Sequence, residues 1–153
     1  MTTVSLRSAR PGEEDALSDL CLRSKAHWGY DAEFVAACAP YLKVGASDIA
    51  AGHTSVAENA SGAILGVCQI APGSSGGSLE LLFITPDAIG QGVGRLLFEH
   101  AKAQLREHGQ TVMTILSDPY AETAYLHMGA KRIEMRASDV FPDRELPWLE
   151  VAL

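Results

Sequence analysis

The chain has 153 residues, a length at which one domain buries a substantial core. Apolar residues make up 47% and charged residues 20%, which excludes global disorder, and no apolar run approaches the roughly 18–20 residues that cross a bilayer. With no such run, no membrane partner is expected, and the formal net charge of −7, from 12 basic and 19 acidic residues, argues against broad nucleic-acid binding. It still allows a local nest of backbone amides to hold an anion. The first residues carry no basic segment followed by an apolar one, so a cytoplasmic location is expected. Cys21, Cys38 and Cys68 are odd in number and far apart, so buried free thiols are expected rather than disulfides or a metal site.

In chain order, Val4–Arg7 has the pattern of a first strand. Pro11-Gly12-Glu13-Glu14-Asp15 opens a helix, with Pro expected in its first turn and the acids favoured by the helix dipole. Leu17, Leu20, Cys21 and Ser24 follow at helical spacing until His27-Trp28-Gly29-Tyr30 breaks the helix. Asp31 is placed to cap a second helix whose apolar face carries Phe34, Val35, Cys38 and Leu42. Strands follow at His53–Glu58 and Ala63–Ala71, joined by the tight turn Ala60-Ser61-Gly62. The turn formers Pro72-Gly73-Ser74-Ser75-Gly76-Gly77 make a hairpin loop into a strand over Ser78–Thr85.

Gly90, Gly92 and Gly94 then open a strongly amphipathic helix, with Val93, Leu97, Ala101 and Leu105 four apart and Gly109 as its stop. Thr111–Leu116 is a short β-branched strand, Glu122–Met128 a short helix ended by Gly129, and Ala130–Met135 and Trp148–Leu153 the last strands. The expected order is β-α-α-β-β-β-α-β-α-β-β. That predicts a single α/β (α+β) domain over residues 1–153, with a mixed, largely antiparallel twisted sheet of about six to seven strands and four helices.

The strand, turn and glycine-opened helix form the sharpest local feature. Glycine permits positive φ and close approach of a ligand to the backbone. The first amides of a helix lack intrahelical acceptors and carry partial positive charge, so a diphosphate fits there. Several charge-assisted hydrogen bonds of roughly 1.5–3 kcal/mol each would carry the affinity, well above the dipole's own ~0.3–1 kcal/mol. A flexible turn is the plain alternative. The spacing GxGxG past the chain's midpoint does not fit the GxGxxG of a first βα turn, and GxxxxGK[ST] is absent.

Leu79-Glu80-Leu81-Leu82-Phe83-Ile84-Thr85-Pro86 followed by Gly90-Gln91-Gly92-Val93-Gly94-Arg95 resembles the acetyl-CoA-binding core of the GNAT N-acetyltransferase superfamily. Ile89 stands where that family usually has Gln or Arg. A second segment, Ser117 through Ala130, is similar to the family's later box, with Asp118 where Asn is common, Ala124 where Phe is common, and the spacing from Ala121 through Tyr125 to Gly129-Ala130 intact. The resemblance covers nearly the whole chain. It implies a splayed pair of parallel strands admitting the cofactor and transfer of an acetyl group from acetyl-CoA to a primary amine by direct attack in a ternary complex. Frequent family dimers make the exposed terminal strand Trp148–Leu153 a candidate homodimer surface.

An alkylammonium with a pKa near 10.4 costs about 4.6 kcal/mol to deprotonate at pH 7, so the chemistry needs a base, donors for the oxyanion and a proton for the departing thiolate. By resemblance Tyr125 is the candidate acid, against a role as an amphipathic core tyrosine. Glu80, on the strand entering the glycine loop, is the candidate base. Apolar neighbours there would raise its pKa and let it act through a water, and the alternatives are a solvated carboxylate or an ion pair. Phe83 and Ile84 are expected to pair with the pantetheine arm, with the Ile84 amide as oxyanion donor and Thr111–Leu116 as the facing strand.

Gly90, Gln91, Gly92, Val93, Gly94 and Arg95 are the cofactor-binding candidates at the diphosphate, although Arg95 also fits a solvated helix face with Lys102 and Arg106. Asp118 either reaches the arm or serves its turn before Pro119. Trp28 and Tyr30 are the acceptor-binding candidates, able to stack on a substrate or hold a cation, against simple loop packing. His127 reads as a helix-surface histidine, and no metal is expected because no ligand spacing occurs. A small-molecule amine is the favoured acceptor, and a non-catalytic acyl-CoA-binding sensor or interaction module is the alternative from another class.

Overall fold

The computed structural model describes residues 3–74 and 76–153. Ser75 of the expected hairpin loop lies outside them. Among the described residues the strands are β1 (Val4–Ser8), β2 (Thr54–Asn59), β3 (Ile64–Ala71), β4 (Gly77–Ile84), β5 (Val112–Leu116), β6 (Lys131–Ala137) and β7 (Glu145–Ala152). The helices are α1 (Glu14–His27), α2 (Ala32–Cys38), α3 (Ala46–Ala50), α4 (Val93–Glu107) and α5 (Glu122–His127). The sheet runs β1-β2-β3-β4-β5-β7-β6. β1/β2, β2/β3, β5/β7 and β6/β7 are antiparallel, and β4/β5 is parallel. The mixed, largely antiparallel class expected from the sequence is therefore found, with five helices in place of four.

Two compact units divide the chain. The first holds Met1–Gln69 and Leu81–Ala101. Its core packs Leu17, Leu20 and Cys21 of α1 with Val44, Ile49, Val56, Val67 and Leu81, flanked by Leu42, Ile64 and Phe83. α1 begins later than the proline suggests. Gly12 has φ +96°, which ends any helical path there, so Pro11 belongs to the preceding turn and Glu13 is the N-cap residue. The Glu13 carboxylate turns back to accept from the Arg10 amide (2.6 Å) and from Arg7, which also reaches Glu58 of β2. Asp31 caps α2 as expected, accepting from the Phe34 amide at 2.7 Å. Leu42 lies beyond α2, past a short 3-10 turn over Ala39–Tyr41, and so is not on that helix's face. α3 was not anticipated: it buries only Ile49, too little for a visible period.

The second unit holds Ile70–Glu80 and Lys102–Leu153. Ile70, Leu79, Leu105, Met113, Ile115, Leu149 and Val151 are buried in it. Gly77 is needed for close packing, because a Cβ there would lie 2.6 Å from Leu105 Cδ2. The terminal strand is not the exposed surface expected. β7 pairs with β5 on one side and β6 on the other, and it buries Pro147, Leu149 and Val151 in alternation. The end of the strand order is β6 instead, with all seven residues exposed and its register shifted between Arg132 and Glu134.

Cys21, Cys38 and Cys68 are buried free thiols, and burial pushes Cys21 and Cys68 up to about 12. No helix among the described residues is long and apolar enough to cross a membrane.

Candidate active site

In the first unit, β4 ends at Ile84 and a 3-10 turn over Pro86–Ala88 leads to the glycines. Gly90 and Gly92 take φ +85° and +82°, left-handed values that a side chain makes costly. A Cβ at either position would meet nothing within 4 Å, so the space beside this backbone is open. Gly94 differs: it lies inside α4 and a Cβ there would make ordinary contact with Ile84 at 3.9 Å.

The Leu96 amide donates to the Gly92 carbonyl (3.2 Å), which leaves the amides just ahead of it without acceptors in the helix. The Gln91 side chain is tied back to the preceding turn, its Nε2 donating to the Asp87 carbonyl at 3.1 Å. Arg95 is exposed on the first turn, and Ile89 is 36% exposed. α4 itself is held by packing, with Val93, Leu97, Phe98, Ala101 and Leu105 all buried.

Phe83 and Ile84 are half-buried. Their surroundings are tight: a Cβ on Gly66 of β3 would lie 2.8 Å from Ile84 Cδ1 and 3.1 Å from the Phe83 carbonyl. The Thr85 amide is already used, donating to the Leu65 carbonyl at 2.9 Å.

In the second unit, among the described residues, β4 and β5 pair at Gly77–Met113 and Ser78–Thr114 and no further. Glu80 lies just beyond that pairing. The enclosure by apolar neighbours expected for its carboxylate is not found: Glu80 is exposed, and its Oε1 accepts from Ser78 Oγ at 2.5 Å. On β4, Leu79 and Leu81 are buried and Glu80 between them is exposed.

Tyr125 is 7% exposed and is the buried residue of α5. Asp118 organises the entry to that helix. Its Oδ1 accepts from the Tyr120 amide at 2.8 Å and its carbonyl from the Ala121 amide at 2.9 Å, which is the turn role weighed above. At the other end the Ala130 amide donates to the Tyr125 carbonyl at 3.0 Å, with Gly129 at φ +105° closing the turn. Glu122, in the first turn of α5, takes a bidentate grip from Arg132 of β6, at 2.6 and 2.5 Å. That fork holds the Glu122 carboxyl below its ordinary value and the Arg132 guanidinium above its own. Sequence reading missed this pair, because no helical or strand period relates residues on either side of a turn. His127 is exposed, as a helix-surface histidine would be.

The acceptor candidates lie in the first unit, after α1. Trp28 is 42% exposed and meets His27 edge-on at 5.4 Å. Tyr30 stacks on Phe34 at 4.3 Å, and Lys25 Nζ sits 5.0 Å from its ring centroid. A cation is thus already at the Tyr30 ring, which sets this ring apart from an empty cation-holding face. Among the described residues there is no group of three or more metal-ligating side chains.

The family model described as the acetyltransferase (GNAT) domain matches residues 16–139, so the chain belongs to the GNAT acetyltransferase family. That membership makes it an acyltransferase by class. No curated protein matches it by sequence. Among solved structures it is similar to the PaiA N-acetyltransferase of Thermoplasma acidophilum in complex with coenzyme A, at 12% identity and TM-score 0.80 over 99% of both chains. It is similar to YjaB of Escherichia coli in its apo form, at 26% identity and TM-score 0.69, covering 98% of this chain and 97% of that one. A GCN5-related N-acetyltransferase from Rhodopseudomonas palustris aligns at 18% identity and TM-score 0.77, covering 100% of this chain and 98% of the other.

Proposed function

We propose that the chain, acting as one transferase domain, is an acetyl-CoA-dependent N-acetyltransferase that acetylates a primary amine, most readily that of a small molecule, by direct attack in a ternary complex. The observation that carries this reading is the pair of left-handed glycines, Gly90 and Gly92, beside open space at the start of α4. A diphosphate satisfies amides that helix geometry leaves without acceptors, and a side chain at either glycine would intrude on it. The coenzyme A held by the structurally similar Thermoplasma acidophilum protein supports the same donor here. Acetyl-CoA supplies an activated thioester, and the amides from Gly92 to Arg95 are the groups assigned to its diphosphate.

Tyr125 is assigned as the acid. Its phenol O–H is the proton assigned to the departing thiolate. Glu80 is assigned as the base, acting through water. An exposed carboxylate suits that relay, since water reaches it directly. Phe83 and Ile84 are assigned to the pantetheine arm, Asp118 to the turn that presents Tyr125, and Trp28 and Tyr30 to the acceptor.

The test is thiol release from acetyl-CoA by purified protein against a panel of amines: amino acids, polyamines, aminoglycoside-like amines, peptide N-termini and lysine peptides. Release stimulated by a small amine supports the proposal. Tight acetyl-CoA binding by calorimetry with no stimulated release by any amine identifies a sensor module instead.

A further inference from the structure

α5 is a weak helix by every local measure. It has six residues, its N-cap is Ala121 with no side-chain cap, and its one buried side chain is Tyr125. Helices of this length do not hold themselves together in water, so something outside the helix must fix the direction of Tyr125. Two ties do this from the turns, at Asp118 before the helix and at Ala130 after it. The third joins the helix to the sheet: Arg132 Nε and Nη2 donate to Glu122 Oε2 and Oε1.

Glu122 is three residues ahead of Tyr125, so a rotation or a shift of the first turn is passed directly to the phenol. A bidentate guanidinium–carboxylate fork fixes an orientation as well as a distance, which a single contact would not.

We infer that the Glu122–Arg132 pair is a positioning clamp that aims Tyr125 for proton transfer. This rests on reading Tyr125 as the acid of the proposed reaction. The clamp is assigned a role through the helix, as a positioning pair and not as a catalytic one. A neighbouring ion pair provides the contrast: Arg136 and Glu134 are two residues apart on the same strand β6 and tie no helix to the sheet.

The experiment uses Glu122→Gln, Arg132→Gln, Arg132→Lys, the charge swap Glu122→Arg/Arg132→Glu, Glu134→Gln, and Tyr125→Phe alone and combined with Glu122→Gln. Misplacement of a catalytic group by about 1 Å costs up to roughly 10²-fold, so Glu122→Gln and Arg132→Gln are each expected to lower kcat about tenfold. The KM for acetyl-CoA and its calorimetric affinity stay unchanged. Arg132→Lys, which keeps the charge and loses the fork, stays low in kcat, and the swap recovers part of the loss. Glu134→Gln leaves kcat unchanged.

Hydrogen exchange in donor-free protein gives a readout independent of turnover. The amides of Met128, Gly129 and Ala130 are expected to exchange faster in Glu122→Gln. The decisive comparison is the double variant, in which Glu122→Gln adds nothing to Tyr125→Phe. An additive loss there, or wild-type kcat in Glu122→Gln beside a slow Tyr125→Phe, overturns the clamp while leaving the acid assignment standing. Wild-type turnover in Tyr125→Phe overturns the acid assignment and the clamp with it. Should Glu122→Gln fail to fold, Arg132→Lys carries the same comparison on a milder change.

Discussion

α4 and α5, the helices to which the proposed reaction assigns the diphosphate amides and the acid, are held in place by opposite means. α4 has 15 residues and lays Val93, Leu97, Phe98, Ala101 and Leu105 into the protein interior. Its opening is then free to use glycines, which stabilise nothing locally. α5 has six residues, one buried side chain, and polar ties at its start, along its first turn and after its end. The difference teaches that helix amides proposed to bind an anion can be carried by packing further along the helix, whereas the side chain proposed as the acid sits on a helix held by short-range hydrogen bonds. It also predicts opposite sensitivities: packing changes in α4 lower stability, and polar changes around α5 lower turnover.

The largest effect that would break this comparison comes from Tyr125→Phe. It is expected to slow turnover roughly 10²–10⁴-fold with acetyl-CoA affinity nearly unchanged, checked by steady-state kinetics beside calorimetry. Equal activity removes the acid from α5. Next, Leu97→Ala is expected to cost about 2–5 kcal/mol of stability in denaturant titration, because the side chain is fully buried and its removal leaves a cavity. A loss far below that range would mean α4 is not held by packing.

Gly92→Val sharpens the comparison at the binding end. It forces a β-branched residue to φ +82° and puts a side chain into the open space, so acetyl-CoA affinity is expected to fall roughly tenfold, about 1.4 kcal/mol. Unaltered affinity means the loop does not hold the diphosphate. The smallest effect is on the acid limb of stability. Arg7 holds the Glu13 carboxyl below its ordinary 4.5, and Arg132 does the same to Glu122. Each folded value is depressed, so between that value and the ordinary 4.5 the unfolded chain binds more protons than the folded one. The stabilisation is present above the ordinary carboxylate range and is lost as pH falls through the folded values. Thermal melts of Glu13→Gln between neutral pH and pH 3 should show a flatter acid limb than wild type.

Much of this was legible in the residues because it is periodic or because a turn former marks it. Val93, Leu97, Ala101 and Leu105 announce α4 by spacing alone, and Asp31 announces the start of α2. Three features were not legible for physical reasons. α3 is too short to show a period. The place of β7 inside the sheet depends on which strand lies at the end of the order, and strand sequences do not encode order. The exposure of Glu80 depends on what covers its face of the sheet, which apolar neighbours in sequence on the opposite face do not report. Tyr125 was marked out by the family box, whereas Glu122 and Arg132 meet only because the chain reverses at Gly129, and no local pattern reports such a meeting.

The border formed by β6 has a consequence for how the protein behaves in company. Lys131, Arg132, Glu134 and Arg136 line it, Arg136 lies 3.7 Å over the Trp148 ring, and the shifted register near Ile133 breaks the regular ladder. An unbroken apolar border would invite other chains to add themselves strand by strand. Charge and irregularity at this rim discourage that growth, so a strand-forming border is kept from becoming a seed for fibres.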